Sequence, residues 1–382
     1  MSSFFEATEG YFPENAPWSN EISKLLDEAA NGGGDFGEIH RTINTIKSGD
    51  EESWFSAWFG LAETVERLGI IADRRGERVT AIQSYFRASN YFRVASSFLL
   101  REDIRESRAF ERHVQLFQKA GALCNPKIEP IEIPFEESTL HAYVSRPIAS
   151  KIGNESFSDE KMPLAIIVGD VNSSCEENFF SLGAEAIKRD MAILLLDPPG
   201  QGSTLRIQKL AARFDFERVA AAVIDHLSSE MSQFIDCSRV GMVGSGMGSY
   251  YAVRAGAKEQ RIKAIVVFGA VYNAVADLFD FYPPIRRWMI RSLEVAESTQ
   301  ARAKLGDFNL EGVAGEIACP ILINHGTLDF VSSPFAANRL HDAIAHKNKV
   351  LKLYKAGHGI SAHRAEAVSS SLDWLKRKLQ KN

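Results

Sequence analysis

Long hydrophobic runs, paired cysteines and an excess of basic charge are all missing from this sequence. Its apolar run at residues 264–270 is far too short for a transmembrane helix, which needs about 20 apolar residues. The first ten residues, MSSFFEATEG, lack the basic and apolar segments of a signal peptide. With 44 basic and 49 acidic side chains, the net charge of −5 supplies no field that would attract nucleic acid. We therefore expect a cytoplasmic protein that binds neither membranes nor nucleic acid.

Cysteine usage argues against disulfides and metal centres. The four cysteines form no C-x-x-C pair and no metal-ligand spacing, which suits a reducing compartment. A content of 45% hydrophobic and 24% charged residues is ordinary for a globular protein and excludes global disorder. We expect no cofactor and no metal. The cysteines are Cys124, Cys175, Cys237 and Cys319.

Length and patterning indicate two domains. A chain of 382 residues exceeds the roughly 100–200 residues of one typical domain. Residues 1–123 read as helical, because apolar side chains such as Trp54 and Trp58 recur at helical spacing. The plainer interpretation of these aromatics is helix packing, and the alternative is that some line a pocket beneath a lid. We predict a helical lid domain at residues 1–123 and a catalytic domain at residues 124–382.

Short apolar runs alternate with helical segments from residue 124 onwards. Such alternation is typical of an α/β fold with a doubly wound, mostly parallel sheet, which is the fold class we predict. Strands are expected at residues 128–135, 140–144, 164–168, 192–196, 239–243, 262–268, 321–324 and 350–354. Helices are expected at residues 175–189, 209–231, 248–257, 334–345 and 361–379, with an inserted helical segment at 272–315.

The glycine-rich run after the strand at 239–243 has the context of a nucleophile elbow. In the G-x-S-x-G pattern, flanking glycines permit a sharp strand-to-helix turn that exposes the central residue. Alignment on Gly244 and Gly248 places Gly246 in the nucleophile position, and Ser245 is one place off. A dinucleotide-binding loop is the competing interpretation, but that motif normally follows the first strand of its βαβ unit.

An acid and a base follow two later strands. Asp329 comes just after one strand end, where a carboxylate can hold a histidine, and its alternative role is that of a cap or turn residue. His358 lies between two glycines after the last strand, and its alternative role is that of a surface loop residue. The order of nucleophile position, acid and base is that of α/β-hydrolases. His325 and His363 are weaker candidates for the base.

Two further loops fit an active site at the carboxyl ends of the strands. One oxyanion-hole N–H is expected from Met247, the residue after the nucleophile position. The other is expected from the loop after the first parallel strand, where Asp170 and Val171 both remain candidates. The run DPPGQGS at residues 197–203 follows the next strand and reads otherwise as a proline- and glycine-rich turn.

With these motifs in place, the sequence resembles the α/β-hydrolases over residues 125–382. The helical stretch AIQSYFRASNYF at residues 81–92 resembles the lid of one particular branch. That branch contains the 2,6-dihydroxypseudooxynicotine hydrolase, fungal polyketide-shortening hydrolases and the bacterial anthraquinone-pathway lyase AntI. Its members cleave carbon–carbon bonds next to ketones, a retro-Claisen reaction without a cofactor. The resemblance implies that Gly246 occupies the nucleophile position, Asp329 is the acid and His358 is the base.

Gly246 departs from the branch, because glycine supplies no nucleophile for an acyl-enzyme. One explanation is an engineered Ser→Gly change that traps substrate. The other is a natural loss of serine, which leaves a binding protein or a base-only catalyst. The intact Asp329 and His358 favour the engineered change, since a drifting pseudoenzyme would be free to lose them. Glycine also adopts the positive φ of an elbow at no cost.

The expected reaction is hydrolytic cleavage of a β-dicarbonyl, from a polyketide or aromatic ketone that is free or bound to a carrier protein. An esterase or lactonase with the same residues, a non-enzymatic binding protein and a Dieckmann-like cyclisation are the alternatives. We expect a substrate pocket between the N-terminal helices and the inserted segment, unless those helices serve to form a homodimer. The expected substrate-binding residues are Tyr250, Tyr282, Trp288 and Tyr85.

Overall fold

The computed structural model describes residues 10–147 and 161–380, and the chain forms two compact units, residues 1–129 and 130–382. The described residues of the first unit form five helices. Asparagine or aspartate side chains cap four of them, α1, α2, α3 and α5, by accepting hydrogen bonds from backbone N–H groups of the first turn. The helices are α1 (Ala16–Ala29), α2 (Phe36–Ile43), α3 (Glu51–Arg74), α4 (Arg78–Ser96) and α5 (Ile104–Leu123).

Aromatic side chains form the core of the helical unit. Trp18, Trp54 and Trp58 are completely or almost completely buried, and the rings of Trp18 and Trp54 lie 4.7 Å apart. The indole Nε1–H of Trp54 donates to the backbone oxygen of Val94 at 2.8 Å, so this polar atom is satisfied inside the core. The spacing that predicted helices from Trp54 and Trp58 therefore also produces helix packing.

A buried ion network joins two helices of the same unit. Arg93 on α4 bridges Glu21 and Glu28 on α1 at 2.5 Å and 3.2 Å. Asn90 donates to Glu28 as well, at 2.7 Å. Removing one partner of such a buried set leaves a charge without compensation, so the network fixes how these helices pair.

The second unit is built on one eight-stranded sheet in the order β1-β2-β4-β3-β5-β6-β7-β8. β2 runs antiparallel to its neighbour β4, and the strands from β4 through β3 and β5 to β8 are parallel to one another. The predicted fold class, an α/β fold with a mostly parallel sheet, is confirmed. The strands are β1 (Ile128–Phe135), β2 (Ser138–Ser145), β3 (Met162–Val168), β4 (Ala192–Leu196), β5 (Ile235–Ser245), β6 (Ile262–Phe268), β7 (Ile321–Gly326) and β8 (Lys349–Tyr354).

Helices cover the sheet and supply the inserted segment. A short π-helix, Phe179–Gly183, separates α6 from α7. The segment at 272–315 contributes α11, α12 and short π- and 3₁₀-helices. Within residues 10–147 and 161–380, no helix is long and apolar enough to cross a membrane. The helices are α6 (Cys175–Asn178), α7 (Ala184–Ile187), α8 (Gly202–Arg206), α9 (Phe216–Glu230), α10 (Met247–Lys258), α11 (Arg286–Ser292), α12 (Ser298–Leu305), α13 (Phe335–Ala343) and α14 (Arg364–Lys378).

One predicted helix starts later than its sequence pattern indicated. The expected helix at 209–231 begins only at Phe216, because the preceding residues bind other segments. The Ala212 N–H donates to the Ser292 oxygen, and the Leu210 oxygen accepts from the Gly200 N–H, both at 2.8 Å. These backbone groups are therefore unavailable to a helix.

Candidate active site

A sharp turn joins β5 to α10 at Gly246. This residue has φ 53° and ψ −120°, a backbone conformation that glycine adopts without steric cost. The neighbouring glycines are required by close approach. A Cβ on Gly244 would lie 2.1 Å from the Gly248 oxygen, and a Cβ on Gly248 would lie 2.3 Å from the Val168 oxygen. The turn thus has the geometry that the spacing of the glycines predicted.

Asp329 and His358 meet beside this turn. His358 Nδ1 lies 3.0 Å from Asp329 Oδ2, within the range of a hydrogen bond. The carboxylate is almost fully buried, and its Oδ1 accepts from the N–H groups of Val331 and Ser332 at 2.8 Å and 2.9 Å. Asp329 is therefore fixed in place by backbone donors and can orient the imidazole.

His325 and His363, the two weaker candidates for the base, occupy different environments. His325 is fully buried, and its Nδ1 accepts the Ala270 N–H at 2.9 Å, which places its proton on Nε2. Burial lowers the pKa of His325, and its Nε2 lies 3.6 Å from Asp329 Oδ2, so it supports the carboxylate in the neutral form. His363 is 43% exposed and faces Glu366 at 4.0 Å.

The Asp170 carboxylate is the feature that the sequence did not reveal. The N–H groups of Val171 and Met247 both donate to Asp170 Oδ1, at 2.7 Å and 2.8 Å. The Asp170 N–H donates instead to Ser173 Oγ at 3.2 Å. Of the two candidates, Val171 therefore contributes the N–H that converges with that of Met247, and Asp170 Oδ1 lies at the point where the two donors meet. An oxyanion-hole role for these donors stays a prediction.

The same carboxylate fills the space beside Gly246. A Cβ built on Gly246 would lie 2.2 Å from Asp170 Cγ and 2.3 Å and 2.4 Å from its two oxygens. Real Cβ atoms do not approach other atoms so closely. A side chain at position 246 and this conformation of Asp170 therefore exclude each other. A sign of this arrangement in the sequence was the acidic side chain of Asp170, in a loop that was expected to supply only backbone N–H donors.

The three ionisable groups form a carboxylate–imidazolium–carboxylate array. Burial alone would lower the pKa of His358, but Asp329 and Asp170 more than offset it and raise this pKa to about 10. Burial likewise opposes ionisation of both carboxyl groups, yet His358 and the backbone donors hold their pKa values below the usual range. His358 Nε2 lies 3.6 Å from Asp170 Oδ2, an ion-pair distance. At neutral pH the array carries two negative charges and one positive charge.

Three of the expected substrate-binding residues lie in the sheet unit. Tyr250 is completely buried, and its hydroxyl donates to the Phe214 oxygen at 2.9 Å. The side chain has no exposed surface in this structure, and a role in substrate binding stays a prediction for Tyr250. Tyr282 and Trp288 are half-buried against the core, with the Tyr282 ring 5.8 Å from Phe330.

Tyr85, the fourth, lies on α4 in the helical unit. Its hydroxyl donates to Asp73 Oδ2 at 3.1 Å, and burial together with this carboxylate raises the pKa of Tyr85 to about 12. The side chain is buried among helices of its own unit. A role in substrate binding stays a prediction for Tyr85.

A second buried polar cluster lies under the predicted loop at 197–203. Asp197 accepts the N–H groups of Cys175 and Ser203 at 2.7 Å and 2.6 Å, and burial followed by the charge of Glu176 raises its pKa to about 7. His141, Cys175 and Glu176 bring potential metal-ligand atoms within 4.8 Å of one another. Because Glu176 also accepts the Tyr143 hydroxyl and His141 Nδ1 binds Glu132, protein contacts already hold this cluster.

Comparisons with known proteins find relatives over most of the chain. The sequence pattern of the prolyl oligopeptidase family matches residues 186–382. The α/β hydrolase pydG of an Acremonium species is 30% identical over 360 residues, which cover 85% of this chain and 83% of pydG. The α/β hydrolase xenA of Xenoacremonium sinensis is 36% identical over 253 residues, which cover 64% of this chain but only 58% of xenA. The crystal structure of the 2,6-dihydroxy-pseudo-oxynicotine hydrolase superposes with a TM-score of 0.80 at 23% identity, covering 93% of this chain and 95% of that one.

Proposed function

Because the chain belongs to the prolyl oligopeptidase family of α/β-hydrolases, we propose that it hydrolyses a carbon–carbon bond next to a ketone. The substrate class is a β-dicarbonyl of polyketide or aromatic type, and the reaction is retro-Claisen cleavage. The observation that carries this proposal is the Asp329–His358 pair, hydrogen-bonded at 3.0 Å beside the turn at Gly246. The likeness to the fold of 2,6-dihydroxy-pseudo-oxynicotine hydrolase, at a TM-score of 0.80, is compatible with the same class of substrate.

The charge state of His358 suits this reaction. Cleavage of a β-dicarbonyl expels an enolate, whose carbon must receive a proton. With a pKa of about 10, His358 is an imidazolium at neutral pH, so it stabilises developing negative charge and can donate a proton. A positioned proton-transfer group of this kind typically contributes about 10²–10⁴-fold to the rate.

The test uses two probes that differ in the bond to be broken. The β-diketone 1-phenylbutane-1,3-dione reports C–C cleavage through release of a carboxylic acid and a ketone, and phenyl butanoate reports ester cleavage. We expect turnover of the diketone by the unaltered chain and a loss of about 10²–10⁴-fold in His358→Asn. His363→Asn is the matched control, because His363 is exposed and paired with Glu366.

Each of the other outcomes would indicate a different function for this chain. Turnover of the ester without the diketone would identify an esterase or lactonase. Turnover of neither probe, by the unaltered chain or by a variant with a restored serine, would favour a non-enzymatic binding protein. Equal activities of His358→Asn and His363→Asn would remove His358 from the mechanism.

A further inference from the structure

We propose that Asp170 is a catalytic residue of this chain and that its carboxylate activates a water molecule in place of the missing serine hydroxyl. The proposal rests on the C–C hydrolysis proposed above and names the group that replaces the nucleophile's chemistry. It assigns to Asp170 a side-chain function, where the loop after β3 was expected to provide only a backbone N–H.

Two backbone donors hold the Asp170 carboxylate in a defined orientation. Oδ1 is bound by the N–H groups of Val171 and Met247, which leaves Oδ2 on the side of His358, 3.6 Å from Nε2. The side chain is 24% exposed, so water can reach it. One oxygen is thus an anchor, and the other is available to accept a proton.

The turn at residues 170–173 is held by hydrogen bonds that do not involve this carboxylate. The Ser173 N–H donates to the Asp170 backbone oxygen at 2.9 Å, and the Asp170 N–H donates to Ser173 Oγ at 3.2 Å. These two contacts close the turn through backbone and serine atoms. Besides the Val171 N–H of its own loop, the carboxylate binds the N–H of Met247, on a different element 77 residues away in the sequence.

The Asp170 carboxylate also occupies the space that a side chain at position 246 would need. A Cβ there would lie within 2.4 Å of three carboxylate atoms, so Asp170 can hold this conformation only if residue 246 is glycine. A serine replaced simply to trap substrate would leave a space beside the turn. Here a polar group fills that space, which favours a natural base-only catalyst over an engineered inactivation.

The reaction balances with these groups alone. Asp170 takes a proton from water while the water oxygen bonds to the ketone carbon, and the carbonyl oxygen becomes an alkoxide next to the His358 imidazolium. The alkoxide then reforms a carbonyl, the C–C bond breaks, and its electron pair leaves as the enolate of the second carbonyl. His358 donates its proton to the enolate carbon and recovers a proton from protonated Asp170, whose Oδ2 lies 3.6 Å from Nε2. One water and one β-dicarbonyl give one carboxylic acid and one ketone.

The roles of His358 differ between this mechanism and a serine mechanism, and pH separates them. Here His358 must be protonated, so activity should persist across neutral pH and fall as pH rises through about 10. In a serine mechanism His358 must be neutral, so activity should instead rise with pH. The charged and titratable groups that face His358 are Asp329, Asp170 and the buried His325.

A first experiment tests where the carboxylate sits and needs no substrate. A fluorophosphonate labels a serine that has a free oxyanion hole, so it is applied to Gly246→Ser and to the double variant Gly246→Ser/Asp170→Gly. We expect labelling of the double variant to be at least about 10²-fold faster, the effect typical of one oxyanion-hole donor. Equal labelling of both variants would overturn the proposal. No labelling of a folded double variant would refute the position of the nucleophile, on which both proposals rest.

A second experiment tests catalysis with 1-phenylbutane-1,3-dione. Asp170→Asn keeps an oxygen for the two N–H donors but removes the base, so we expect a loss of about 10²–10⁴-fold in kcat. Asp342→Asn, at an 80% exposed carboxylate, is the matched control. A loss of less than about threefold in Asp170→Asn would overturn the proposal. In H₂¹⁸O, label should enter the product acid only, and label in Asp170 after one turnover would show a nucleophile rather than a base.

The two proposals fail in different ways. If only the double variant cleaves the diketone, C–C hydrolysis stands and Asp170 is an inhibitory group rather than a base. If the fluorophosphonate labels the double variant but neither the unaltered chain nor the double variant cleaves the diketone, the proposed function fails, and the catalytic role of Asp170 fails with it.

Discussion

The charge of His358 is the property of this site that is most open to direct measurement. Its Nδ1 lies 3.0 Å from Asp329, and its Nε2 lies 3.6 Å from Asp170. The two carboxylates raise its pKa from 6.5 to about 10 in spite of burial. We predict that the imidazole is cationic throughout the neutral range.

This prediction sets the pH dependence of stability. A group whose pKa is raised on folding stabilises the native state fully below its unfolded pKa of 6.5, and the contribution disappears as pH rises through about 10. The interval between these values corresponds to about 5 kcal/mol as an order of magnitude. Asp170 and Asp329 act in the opposite direction. Their pKa values are lowered, so their contribution is lost as pH falls towards strongly acidic values.

The assay is a set of urea unfolding curves between pH 6 and pH 10, together with an NMR titration of the imidazole nitrogens. The free energy of unfolding should fall across this range by a few kcal/mol more in the unaltered chain than in His358→Asn. In Asp170→Asn the imidazole should titrate at lower pH, because one of its two carboxylate partners is gone. A His358 that titrates near 6.5 in the unaltered chain would refute the argument.

Three further substitutions test the turn at Gly246, the core of the helical unit and the buried Tyr250. Gly244→Ala should prevent stable folding, detected by circular dichroism, because its Cβ would lie 2.1 Å from the Gly248 oxygen. Trp54→Phe should lower the free energy of unfolding by about 1–3 kcal/mol, because it removes the 2.8 Å hydrogen bond from the buried indole to the Val94 oxygen, and urea unfolding would measure the loss. Tyr250→Phe should leave kcat on the diketone unchanged, because this side chain is completely buried, whereas a large loss would support the predicted role of Tyr250 in substrate binding.

The sequence was sufficient for features that depend on local pattern and chain order. Buried parallel strands read as short apolar runs because both faces of the sheet are covered, so β4 and β6 follow the predicted runs residue for residue. Steric demand at the turn made Gly244 and Gly248 informative, since their spacing reflects backbone approaches that only glycine permits. Residues that follow parallel strands gather at one edge of the sheet, which is why Asp329 and His358 could be paired in advance.

Only the tertiary structure decided how side chains from distant segments share space. The burial of Tyr250 depends on partners such as Phe214, which lies 36 positions away, and helical spacing cannot reveal such a contact. The same is true of Asp170 and Gly246. Both were candidates from their own segments, but their steric relation appears only when β3 and β5 lie side by side. Atoms exclude one another through space rather than along the chain, so the carboxylate beside the turn was visible only in the folded protein.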